Sequence, residues 1–65
     1  MSEKIRNALS QLHRGQRITV IYDGKLEHER LRVTGTVVNI DSFWKTLQVN
    51  NVGIDFSEIH DITVT

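Results

Sequence analysis

The stretch Val33-Thr34-Gly35-Thr36-Val37-Val38-Asn39-Ile40-Asp41 decides the fold. Leu31, Val33, Gly35 and Val37 share one face of an extended chain, and Thr34, Thr36, Val38 and Ile40 share the other. A period of two sustained this long marks a strand rather than a helix. The glycine in its middle signals a bulge or a sharp bend. A long strand bent there can serve both sides of a small curled β-barrel.

The pattern continues on either side. Upstream, Arg17-Ile18-Thr19-Val20-Ile21-Tyr22 also alternates. Asp23-Gly24 then reads as a two-residue hairpin turn, because both positions tolerate positive φ. The return arm starts near Lys25, and its mostly polar residues 26–30 are expected to project as a solvated ribbon. Downstream, Asp41-Ser42-Phe43-Trp44-Lys45 connects to a strand over 46–49. Asn50-Asn51 turns into a strand over 52–56. Residues 57–60 read as a single 3₁₀-like turn, and residues 61–64 close the barrel.

Ahead of the barrel, the chain predicts a helix over 3–14. Ser2 is a good N-cap, and Glu3 suits the positive end of the helix dipole. Ile5, Ala8, Leu9 and Leu12 form one stripe. His13 and Arg14 fall in the expected last turn, and Gly15 stands where a left-handed backbone ends a helix. Twelve residues are marginal as an isolated helix, so the stripe must lie across one opening of the barrel or on a partner. The expected core is Ile5, Leu9, Leu12, Ile18, Val20, Leu31, Val33, Val37, Val38, Ile40, Leu47, Val49, Ile54, Phe56, Ile59, Ile62 and Val64.

A chain of 65 residues is read as a single domain, 1–65, with helix 3–14 and barrel 16–65. A domain this small buries only about 60% of its unfolded surface. It has no Cys, which excludes disulfides and thiolate metal sites. His13, His28 and His60 lack metal-ligand spacing. No metal or cofactor is expected, and stability must come from packing or self-association. There is no apolar run near the ~20 residues of a membrane span and no signal-peptide core, so the expected location is the cytoplasm, without membrane contact. The formal net charge is zero. Residues 1–32 carry seven basic against four acidic side chains, and residues 33–65 one against four. The bland meaning of that asymmetry is solvated faces; the sharper one is opposite poles that steer a partner.

From Leu12 onward the chain resembles the C-terminal half of the YolD-like family of small bacterial and phage proteins. The stretches that carry the resemblance are Ile18-Thr19-Val20-Ile21-Tyr22, Gly35-Thr36-Val37-Val38-Asn39-Ile40-Asp41, Lys45-Thr46-Leu47-Gln48-Val49 and the tail from Ile54 to Ile62. The resemblance implies an Sm-like or SH3-like barrel; with the helix and strands read above, the expected fold is mainly β, a five-stranded, strongly bent antiparallel SH3/Sm-like barrel with one N-terminal α-helix. The resemblance implies no enzymatic centre. It implies association with error-prone DNA polymerases and the damage response, often in prophages. The chain looks too short for the segment that typical members carry before the barrel, so it is expected to be a reduced phage or prophage version, or another Sm-like protein altogether.

Phe43 and Trp44 are the sharpest candidate interaction residues. Two adjacent aromatics in an extended turn cannot both point inward, and exposed aromatics stack on bases or anchor partner proteins. The plain alternative is that Trp44 caps one open end of the barrel. Arg17, Arg30 and Arg32, with Arg14 and Lys25, are candidate phosphate contacts. Glu27 and Glu29 interrupt them, and cross-strand ion pairs are the plainer reading. His60 beside Asp61 has no nucleophile motif near it, so no catalytic residue is expected. The expected function is therefore a non-enzymatic interaction module. It binds a protein partner or forms a homo-oligomer, with strands 46–49 and 62–64 pairing between subunits. The alternatives are single-stranded nucleic-acid binding (RNA or DNA) and a phage-encoded adaptor of a host protein.

Overall fold

The computed structural model describes residues 2–26 and 28–65. Glu27, expected in the polar ribbon, lies outside the described residues. The chain runs α1 (Glu3–Ser10), β1 (Arg17–Asp23), β2 (Arg30–Asp41), β3 (Thr46–Val49), β4 (Val52–Asp55), a 3₁₀ turn η1 (Phe56–Glu58) and β5 (Ile59–Val64). All neighbouring strands pair antiparallel in the order β4-β3-β2-β1-β5. The fold is thus mainly β with one N-terminal helix, as the sequence predicts. Its radius of gyration, 10.7 Å, is the value that size scaling gives for a compact chain of this length. None of its described helices is long and apolar enough to cross a membrane.

The twelve-residue β2 belongs to both halves of the sheet. Its first part, Arg30 to Thr36, pairs with β1, and its last part, from Val37, pairs with β3. The bend lies at Val37–Asn39, where the register with β3 slips by one residue. Val38 is the extra residue of that bulge, and Gly35 is not. A bulge residue is turned out of the ladder, which explains why Val38 is 46% exposed although a core position was expected. A second register shift, between Ile21 and Tyr22, leaves His60 as the unpaired residue of β5.

The sheet does not close. β4 and β5 remain its two edges, so residues 61–64 flank β1 without sealing a barrel. Val64 stands at that open edge and is 55% exposed, against expectation, because among the described residues no strand lies beyond it. Leu31, 37% exposed, pairs with Tyr22 near the hairpin end, past the packed interior. The remaining expected core residues are buried or packed against the core. Tyr22 and Val52 join them at its margin.

Two local corrections have clear causes. The helix ends at Ser10, earlier than the predicted Arg14. Its N-terminus is as expected, with the Ser2 hydroxyl accepting the Ile5 N–H at 3.2 Å. At the other end, Gln11 and Leu12 bond back only three residues, to Ala8 and Leu9, a tightened last turn. The next residues are claimed by the sheet. The Gly15 N–H donates to the Val37 carbonyl, and the Gln16 carbonyl accepts the Val37 N–H. Gly15 does take the left-handed backbone, φ 90°, and Leu12 is still buried. His13 and Arg14 therefore lie beyond the helix.

The β1–β2 turn is wider than Asp-Gly suggests. Asp23 pairs with Arg30, and the Gly24 N–H donates to the Glu29 carbonyl at 2.9 Å. Further out, the Glu29 N–H donates to the Leu26 carbonyl. Positive φ appears at His28, 63°, and not at Gly24.

Candidate functional site

The β2–β3 connection, Ser42 to Lys45, carries the exposed aromatics. Asp41 shapes it: one carboxylate oxygen accepts the N–H groups of both Phe43 and Trp44, each at 2.9 Å. This Asx-type turn leaves Lys45 with φ 58°. The Lys45 carbonyl accepts the Phe56 N–H at 2.8 Å, tying the loop to the start of η1. Phe43 is 80% and Trp44 72% exposed. Their rings meet edge to face, with centroids 5.0 Å apart, a favourable aromatic geometry. Both rings face outward, so Trp44 does not cap an opening of the fold.

Two shallow grooves flank this tip. One is lined by Trp44, Lys45, Asp55, Phe56 and Ser57. The other lies between α1 and the end of β2 and includes Arg6, Leu9, Ile40, Lys45 and Phe56. Lys45 and Phe56 are walls of both.

The arginines singled out in the sequence stand elsewhere. Arg30 begins β2, at the opposite end from the tip, and Arg32 follows it opposite Ile21. Arg17 lies opposite Thr36, in the middle of the long strand. Arg17, Arg30 and Arg32 share the outer face of the β1–β2 pair, but Phe43 and Trp44 do not stand beside Arg30 and Arg32. The cations beside the tip are Lys45 and Arg6. The first is the chain neighbour of Trp44. The second was legible only as the residue three before Leu9 on the helix, which puts both on one helix face.

Around Arg30 a different cluster forms. His60 Nε2 lies 2.7 Å from the Asp23 carboxylate and 3.3 Å from Arg30 Nη2. His60 thus partners Asp23 across the sheet rather than its chain neighbour Asp61, which meets Lys4 at 3.4 Å. Among the described residues no hydroxyl hydrogen-bonds His60, so the cluster sets an imidazole between a carboxylate and a guanidinium with no nucleophile in hydrogen-bond contact.

Together these features define a small open-sheet domain with one helix and an aromatic tip. No family model matches the chain, and neither does any curated protein or solved structure.

Proposed function

We propose that this chain is a non-enzymatic interaction module that assembles with itself or binds a protein partner. The observation that carries this reading is the open sheet, whose edge strands β4 and β5 have no further partner strand among the described residues. An exposed edge presents unpaired N–H and C=O groups, a template for another strand. The pairing strand on one side is β4 rather than the earlier expectation of residues 46–49, since β3 is already paired on both sides. A β4 edge meeting a neighbour's β5 edge is a heterologous contact, which yields a ring if the rotation closes. The YolD-like resemblance supplies the setting, an accessory of error-prone polymerase and damage-response systems of bacterial or phage origin. Light scattering over a wide concentration range tests self-assembly. A strict monomer at millimolar concentration removes it and leaves only the partner-binding form.

Trp44 favours a second reading, single-stranded nucleic-acid binding. Its ring is exposed beside Lys45, and stacking on such a ring is worth about 1–3 kcal/mol per base. Quenching of the single Trp by an oligonucleotide, relieved by salt, would support it. No quenching at low salt would remove it.

A further inference from the structure

The groove between α1, the end of β2 and η1 has a defined chemistry. Its floor is Leu9, Ile40 and Phe56. Its rim carries Arg6 and Lys45, and among the described residues no acidic one lines it. Among the described residues neither cation is held in an ion pair. Its volume is about 240 Å³, below the roughly 300–1,000 Å³ of pockets that enclose drug-sized ligands. A space of that size seats one or two side chains of a larger partner.

We propose that this groove docks an acidic segment of a partner protein. An aliphatic side chain of the segment rests on Leu9, Ile40 and Phe56, and flanking carboxylates meet Arg6 and Lys45. The proposal rests on the chain being an interaction module and names what one of its surfaces takes.

The occupant follows from charge and surface. Two cations with no acid at the rim select an anion, and a guanidinium binds a carboxylate with two parallel hydrogen bonds. Lys45 is held at the rim by its own backbone, through the left-handed turn and the bond to Phe56. Nucleic acid suits this groove poorly. Phe56 is only 8% exposed, so its ring offers no stacking face. The adjoining groove shares Lys45 and Phe56 and is also lined by Trp44 and Asp55, so a segment held at Lys45 lies near the one Trp and changes its emission.

The test titrates the full chain with a fluorescein-labelled hexapeptide that alternates aspartate and leucine. Anisotropy and Trp emission are read together. Saturable binding that weakens with salt is expected. Arg6→Glu should weaken it roughly ten-fold or more, and the peptide with asparagine for aspartate should lose as much. Arg32→Glu, far from the groove, should leave it unchanged. Circular dichroism checks that the variants fold. If Arg6→Glu does not, Lys45→Asn replaces it, since Asn accepts the left-handed turn. Equal binding of the neutral peptide, or indifference to the Arg6 and Lys45 changes, overturns the proposal. Preference for an oligothymidylate with the same Arg6 dependence also overturns it and assigns the groove to nucleic acid. Absence of peptide binding in a chain that self-associates sinks the groove alone. Absence of both sinks the groove and the self-assembling form of the module together.

Discussion

Asn50 turns the backbone left-handed, φ 53°, and uses its side chain as a strand partner. Its N–H donates to the Thr36 carbonyl at 3.0 Å. Its side-chain oxygen accepts the Thr36 N–H at 3.1 Å, where a sheet would normally supply a backbone carbonyl. The amide lies over Gly35, where any Cβ would collide with it. Gly35 was conspicuous in the sequence, but for a different reason: a bend was expected there, and the bend is at Val38. What the glycine provides is room, and a side chain approaching from fifteen residues away leaves no local pattern. Gly35→Val should therefore cost about 1–2 kcal/mol by expelling Asn50 and leaving Thr36 without its partner. Urea denaturation of a double-mutant cycle checks the cause. In the Asn50→Gly background, which keeps the left-handed turn, the Gly35→Val cost should shrink by more than half. Full additivity would mean that the two residues do not share one seat.

The elements most legible in the sequence are those whose signals are local. The helix start was readable from Ser2 and Glu3, and the strands from their alternation. The helix end was not, because Val37 competes for the backbone of Gly15 and Gln16, and no spacing announces that competition. The wide β1–β2 turn was missed for a similar reason, since pairing of Gly24 with Glu29 outweighs the preference of Asp-Gly. The edges follow only from the complete strand order. At β5 their geometry supports a clean test. The Thr65 N–H donates to the Arg17 carbonyl, and ladder bonds alternate along an antiparallel strand. Thr63 is thus in the bonded phase with β1, and the N–H groups of Ile62 and Val64 point to the open side. Val64→Pro removes one of those outward donors, at an edge position where Pro is tolerated. It should change monomer stability by less than about 1 kcal/mol while shifting any assembly toward monomer. Light scattering on the variant decides it: an oligomer as stable as the wild type would take β5 out of the interface.

Across the whole molecule, β5 lies beside β1, and two ion pairs join a cation of the first half of the chain to an acid of the second, Lys4 with Asp61 and Lys25 with Glu58, while His60 meets Asp23. Such exposed pairs contribute about 0–1 kcal/mol each, which leaves the apolar core to hold the fold. That core is small, and a 65-residue domain has roughly 3–10 kcal/mol of net stability. Leu47 is fully buried, so Leu47→Ala, at about 2–5 kcal/mol, should bring the isolated chain close to unfolding. Leu31→Ala, at a site more than a third exposed, should cost under about 1 kcal/mol. A core this thin makes association consequential, because anything that binds only the folded state raises its stability by mass action. If the edges pair, the melting temperature of the wild type should rise with protein concentration, while that of Val64→Pro should stay flat. Leu47→Ala should then fold at high concentration and fail at low. A wild-type melting temperature independent of concentration would mean that the monomer supports itself and that its open edges serve a different partner.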